Sequence, residues 1–424
     1  MTNDTTADGT LTQDEHWLAA YDDVHMHVFG KPLRVLDHGQ GTHVWDVDGN
    51  EYLDFLAGIA VNALGYAHPA WIRAVADQAA KAAHVSNYFA TVPQIELAEK
   101  LVELAGAPEG SHVYFGNSGA EANEAALKMA KLYGALLQAK LADDKPYRIL
   151  ALTHGFHGRT MGALSATWKP AIREPFEPLV PNFEFVEAND ADAMADAFDD
   201  VTKGPVAAVI MELIQGEAGV RPLDADYVRA VRALCDEHEA LLIIDEVQTG
   251  IGRTGKWFAF QREDLGGVTP DIVTFAKGVA GGFPMGGMIS FGQPLSDLFS
   301  PGKHGSTFAG NPMGAAAALA TLRTIEDEGL VEAAETRGAY LRQGIMALDN
   351  PLFASVRGRG LLDVIELAHP CAHAAMQWAL GHGLIVNACG PSTLRLAPPL
   401  IVSAQDIDDA LVILGRMPAD LPDD

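Results

Sequence analysis

A glycine-rich turn in GNSGAEANEAALKMA, an aspartate that ends ALLIID and a lysine that ends DIVTFAK are the residues best placed to do chemistry together. Gly116, Ser118 and Gly119 open a helical pattern, where free backbone N–H groups and the positive end of the helix dipole favour a phosphate. A plain capped helix is the other reading, with Ser118 as N-cap and Glu121 completing a capping box. Asp245 ends a buried run, and a buried carboxylate needs a cation or strong hydrogen bonds. A pyridinium N–H would serve, and so would a capped turn or a metal. Lys277 at an apolar strand end would have its amine pKa lowered, which favours the neutral form that makes a Schiff base. Alone it reads as a snorkelling surface lysine; a cup, a carboxylate and an amine together argue for one site.

The elements that must position these residues follow from periodicity. SHVYF, RILAL, VAAVIM, ALLIID and DIVTF alternate with helical patterns between about residues 65 and 310, which predicts an α/β fold with a mostly parallel, doubly wound sheet. Its crevice lies beyond the carboxyl ends of the strands, where the reactive residues fall. The glycine-rich GVAGGFPMGG after Lys277 reads as flexible backbone that leaves room for a cofactor. HVWDVDGNEYLDF reads as a hairpin with a D-G turn, and GLIVNACGPSTLRLAPPLIV follows a helix-rich block, so both ends of the chain should build a smaller α+β domain. The expected division is a disordered tail over 1–13, an N-terminal segment of the small domain over 14–64, a large domain over 65–311 and the C-terminal small domain over 312–424. The closing PADLPDD also reads as a solvated tail.

Composition narrows the function classes. With 29 Lys plus Arg against 56 Asp plus Glu, the net charge of −27 repels nucleic-acid backbones and anionic membranes. Cys235, Cys371 and Cys389 are odd in number and lack C-x-x-C spacing, which argues against a disulfide framework or a zinc site and for a reducing cytoplasm. No apolar run is long enough to span a bilayer, and the first residues lack the pattern of a secretion signal.

NSGAEANEAA, HGFHGRT, IQGEAG, DEVQTGIGRTG, FAKG and GSTFAGNP, in this order and spacing, resemble class III aminotransferases of pyridoxal-phosphate fold type I, of the acetylornithine aminotransferase type. The resemblance covers nearly the whole chain. It implies pyridoxal 5'-phosphate held in aldimine linkage by Lys277, with Asp245 on the ring nitrogen, Val247 and Phe156 on the two ring faces and Gln248 near the phenolic oxygen. Ser118 belongs to the phosphate cup; Gly119 and Ala120 offer backbone N–H groups, and Thr307 reaches the phosphate from the neighbouring subunit of a homodimer with shared sites. Arg159 is implied to clamp a substrate carboxylate, a task suited to a planar guanidinium. Glu217 and Arg395 are implied to be a switchable pair, Arg395 being released to bind a dicarboxylate, and Ser306 is implied near the donor's carboxylate end. Without the family pattern, Phe156 and Val247 read as core packing, Arg159 as a surface ion pair and Glu217–Arg395 as a structural pair. Leu213 stands where the family commonly has proline, a change expected to be tolerated.

The implied reaction moves the δ-amino group of N2-acetylornithine to 2-oxoglutarate, a step of arginine biosynthesis. The alternatives are other ω-amino donors (succinylornithine, succinyl-diaminopimelate, 4-aminobutyrate or ornithine) and fold relatives that decarboxylate or migrate an amino group. In FLAGIAVNALGYAHP, ornithine-specific relatives place a tyrosine where alignment puts Gly58, which implies room for an acyl group on the donor.

Overall fold

The computed structural model describes residues 11–424. A seven-stranded sheet runs His112–Gly116, Gly286–Ser290, Ile272–Phe275, Leu241–Asp245, Val206–Met211, Arg148–Leu152, Phe183–Val186 from edge to edge. Gly286–Ser290 is antiparallel to both of its neighbours, and the other strands run parallel. Along each strand, alternate residues serve opposite faces. Ile149, Ala151, Ala208, Ile210, Leu241 and Ile243 pack with Ala125, Ala126 and Met129 of helix Gly119–Leu141. Leu150, Leu152, Val209, Met211, Leu242 and Ile244 enter the main core on the other face. Asp245 shares the side of Leu241 and Ile243, so its carboxylate is delivered to the first turns of that helix.

The glycine-rich stretch after Lys277 is a correction to the sequence reading. Its last glycines begin the fully buried strand Gly286–Ser290, and a Cβ on Gly286 would come within 2.6 Å of Ser118 O. Glycine there serves close backbone approach, not flexibility.

The small domain joins both ends of the chain. Strands Leu36–Gln40, His43–Asp46 and Glu51–Asp54 form an antiparallel unit, and Leu384–Ile385 adds in parallel to the last. A second sheet has the order Phe353–Arg359, Leu362–Leu367, Thr393–Leu396, Asn387–Gly390. Helix Pro312–Asp327, which opens the expected C-terminal segment, packs on helices Pro69–Lys81 and Val92–Ala105 and on the turn that begins at Lys277. Both tails are shorter than expected. Thr12 caps helix Gln13–Val24 in a reciprocal box with Glu15, while residues 1–10 of the expected tail lie outside the described residues. At the other end, the Asp424 side chain accepts from His373 N (2.8 Å) and Ala374 N (3.0 Å) at the start of helix Ala372–Gly381. An acidic side chain at free helical donors is favourable, and that docks PADLPDD.

Candidate active site

A cavity of about 490 Å³ opens beyond the carboxyl ends of the parallel strands. It is lined by Ser118, Gly119, Ala120, Phe156, Arg159, Glu217, Asp245, Val247, Gln248 and Lys277, residues spread over 160 positions but gathered by the sheet order. The sequence-derived set therefore converges, with Arg395, Ser306 and Thr307 outside the lining.

At one end, Ser118 Oγ accepts from Glu121 N (3.1 Å). Glu121 reaches back to Asn117 N (2.6 Å), one residue beyond the usual box partner. The helix is thus capped, and the N–H groups of Gly119 and Ala120 have no protein acceptor among the described residues. The capped helix and the phosphate cup are one structure. A Cβ on Gly119 would meet Val247 Cγ1 at 2.7 Å, so only glycine lets the helix start sit against Val247.

Asp245 is 3% exposed and held from both sides. Its Oδ2 accepts from Asn123 Nδ2 (2.7 Å) and His157 Nδ1 (2.8 Å), and its Oδ1 accepts from Val247 N (3.0 Å) and, at 3.4 Å, from Thr274 Oγ1. Thr274 also donates to Asn123 Oδ1 (2.8 Å). His157, Asn123 and Thr274 were missed in the sequence. Asn123 could have been found, since it lies four positions after Gly119 and so on the same helix face. Glu212, behind Phe156, accepts from Phe156 N (2.9 Å) and Gly216 N (3.2 Å). Burial pushes its carboxyl up to about 7, against the charge of His157 and helped by Asp245.

Lys277 has φ +44°, an uncommon left-handed backbone, and what exposure it has faces the cavity. Desolvation pulls its amine down to about 8, opposed chiefly by Glu217 and reinforced by Arg395. Phe156 and Val247 border the same space, and the Arg159 guanidinium lies 5.9 Å from the Phe156 ring centroid.

Arg395, 1% exposed, donates through Nη1 to Glu217 Oε1 (2.5 Å) and through Nη2 to Asn387 Oδ1 (2.8 Å). Gln248 donates to Glu217 at 3.4 Å and accepts from Arg395 at 3.4 Å, tying the pair to the Asp245 loop. Burial raises the Glu217 carboxyl, but Arg395, with Lys277 and Gln248, more than reverses this, and the group stays below its ordinary value. Ser306 Oγ accepts from Asn117 Nδ2 (3.2 Å), at the helix-start end of the cavity and away from Arg159. Thr307 is exposed. Gly58 does not line the cavity; Val61 does, at the end of a turn in which Ala57, Gly58, Ile59 and Ala60 have φ of 51°, 64°, 67° and 60°. Leu213 is fully buried, and its carbonyl accepts from Leu223 N (2.9 Å).

Pyridoxal phosphate would fit these residues: the free N–H groups could take a phosphate, Asp245 could take a ring N–H, and a desolvated amine stands within the same walls. Among the described residues no His, Cys, Asp and Glu cluster suits a metal, and no helix is long and apolar enough to cross a membrane.

The chain is 73% identical over 421 residues to an acetylornithine aminotransferase of Bifidobacterium longum, covering 97% of this chain and 98% of the relative. It is 47% identical over 405 residues to the acetylornithine aminotransferase of Mycobacterium tuberculosis, covering 96% of each. Among solved structures, the ornithine aminotransferase of Toxoplasma gondii, described with partial occupancy of PLP at its active site, superposes with a TM-score of 0.89 at 30% identity, covering 97% of this chain and 96% of that one. A thermostable (S)-enantioselective omega-transaminase of Thermomicrobium roseum gives 0.86 at 32% identity, with 96% and 98% covered. The class-III aminotransferase family model matches residues 26–417, so the chain belongs to the class-III aminotransferases and is a pyridoxal-phosphate-dependent enzyme.

Proposed function

We propose that the chain transfers the δ-amino group of N2-acetylornithine to 2-oxoglutarate. The observation that carries this reading is the Glu217–Arg395 pair at a cavity that also holds Arg159. The donor has no carboxylate on its reacting carbon, and there Glu217 neutralises Arg395. The acceptor has two carboxylates; one meets Arg159, and the other displaces Glu217 from Arg395. The names of the relatives at 73% and 47% identity supply the acyl donor.

Bound pyridoxal phosphate supplies a carbonyl for amine exchange and a ring that takes up an electron pair. Lys277 would hold it through its amine, and the same amine would move the proton at the reacting carbon of the substrate. Asp245 keeps the ring nitrogen protonated, with Asn123, His157 and Thr274 fixing its carboxylate. Gly119 and Ala120 anchor the phosphate, Ser118 caps the helix that presents them, and Phe156 and Val247 hold the ring between them. Gln248 serves near the phenolic oxygen.

The reading includes a homodimer, with Thr307 completing the partner's phosphate site and Ser306 beside it. Support comes from the apolar surface next to this segment: Tyr88, Phe89 and Phe308 are 93%, 69% and 57% exposed, and Asn87 Nδ2 donates to Ser306 O (2.8 Å). The excess of acid over base and the unpaired cysteines accord with work in the cytoplasm on small molecules.

The test is a competition among acetylornithine, succinylornithine, ornithine and 4-aminobutyrate, with 2-oxoglutarate as acceptor. Acetylornithine should exceed ornithine in kcat/KM by at least about tenfold, the worth of one oriented contact. Equal or greater efficiency with ornithine or 4-aminobutyrate overturns the donor assignment and leaves the aminotransferase chemistry standing.

A further inference from the structure

The GIGRTG half of the DEVQTGIGRTG motif takes no part in the site described so far. Arg253, 3% exposed, leaves the loop after Asp245 and crosses to the small domain. Its Nη1 donates to Leu361 O (3.0 Å) and Pro398 O (2.5 Å), and its own carbonyl accepts from Leu361 N (2.9 Å). Leu361 directly precedes strand Leu362–Leu367, and Pro398 follows strand Thr393–Leu396. These strands pair with Val364 opposite Arg395. One guanidinium thus grips the end of the strand that carries Arg395 and the start of the strand paired with it.

The grip is made from charge where an apolar plug would also join two domains. Among the described residues no carboxylate accepts from Arg253. Its acidic neighbour Asp363, whose carboxyl burial pushes up to about 7, takes Arg342 Nη1 on Oδ1 (2.6 Å) and leaves a buried Oδ2 without a partner among the described residues. Burial lowers Arg253 to about 10, with Asp363 alone opposing. A buried ion answered only by carbonyls is costly, so geometry is the better account of its presence. What needs that geometry is Arg395, which must be able to exchange Glu217 for a substrate while its Nε has no partner to steady it.

We propose that Arg253 is a positioning residue for Arg395, fixing the strand that presents it so that the second carboxylate of a dicarboxylate acceptor is recognised. The proposal rests on the reading of Arg395 as that carboxylate's site. Arg253 touches no substrate, so its loss should weaken dicarboxylates selectively and leave the donor half-reaction alone.

The experiment uses the holoenzyme and calorimetric binding of glutarate, which has both carboxylates, against butyrate, which has one. In Arg253→Met, the Kd of glutarate should rise about tenfold, while butyrate and the single-turnover rate with acetylornithine stay within about twofold. Arg253→Lys keeps the charge and one carbonyl contact; it should show the same pattern at about threefold, and it serves if the methionine variant does not fold. Glutarate and butyrate weakened alike, a parallel fall in the donor half-reaction, or no change in either would overturn the proposal. Arg395→Met separates the two readings: if it binds glutarate as tightly as the unmodified enzyme, the assignment of Arg395 itself fails.

Discussion

Asp245 and Arg159 face the same cavity from surroundings that differ in almost every physical respect. Asp245 stands among His157, Asn123 and Thr274, which are 2%, 1% and 0% exposed, and its oxygens accept from fixed donors. Arg159 is exposed, and the neighbouring Glu217 side chain is 40% exposed even in its pair with Arg395. In the first region the low dielectric magnifies every charge, and both Asp245 oxygens are answered; in the second, solvent reaches Arg159 and Glu217, so their partners can be exchanged even though Arg395 itself is buried. The difference follows the reaction. Charge develops at one fixed place on the cofactor whichever substrate is bound, whereas the donor and acceptor differ at their carboxylate ends. Fixed dipoles suit the first demand and exchangeable ion pairs suit the second.

The sharpest way to break this comparison is at the amine. Lys277→Ala should abolish covalent cofactor attachment and turnover together, since no other lysine among the described residues lines the cavity. Borohydride reduction and peptide mapping of the unmodified enzyme should find the label on Lys277 alone, and a label elsewhere would unseat it. Next comes Asp245→Asn. The amide keeps the shape but not the charge, and the single-turnover rate of proton transfer should fall by about 10²–10³-fold, with the fold retained by circular dichroism. A near-normal rate would reduce Asp245 to a structural cap.

How much of this was legible in the sequence depends on whether a residue's role comes from its own strand or from a neighbour. Asp245 and Lys277 end apolar runs, and those positions marked them once they were read together with the glycine-rich turn at Ser118. Thr274 was hidden because its meaning lies in sheet register: it pairs with Asp245 across two parallel strands, which no linear pattern shows. His157 sits in a recognisable motif, but its contact with Asp245 spans 88 positions. Gly286 and Gly287 were misread because glycine marks both flexible loops and strands with no room for a Cβ, and only their neighbours, Ser118 and Tyr114, decide between them. The docked terminus was missed for a similar reason, since the helix that Asp424 caps lies some fifty residues earlier.

A smaller effect follows from pH. Lys277 reacts as the neutral amine, and burial brings its pKa from 10.5 down to about 8. Below that value the neutral fraction rises about tenfold per pH unit, so capture of added cofactor by apoenzyme should speed up about tenfold from pH 6 to 7 and level off above pH 8. The absorbance change on mixing measures it. A rise continuing unchanged to pH 10 would show a solvated lysine and remove the desolvated wall from the comparison.

The mildest change tests the exposed region itself. In Glu217→Gln the amide oxygen can still accept from Arg395 Nη1, so the hydrogen bond survives and only the negative charge is lost. With the Glu217 side chain 40% exposed, solvent screening keeps that charge to a modest effect. Arg395 would then meet an incoming carboxylate without first shedding an ionic partner, and the KM for 2-oxoglutarate should fall by about threefold to fivefold. The donor should move the opposite way. Its reacting carbon carries no carboxylate, so it would lie beside an arginine no longer neutralised, and kcat/KM for acetylornithine should fall by a similar factor. Separate half-reaction kinetics with acetylornithine and with 2-oxoglutarate measure both shifts. Opposite signs would mark Glu217 as a switch that trades one substrate against the other. Equal losses in both half-reactions would make it a structural ion pair, and the rim would then be built on the same fixed principle as the wall behind Asp245.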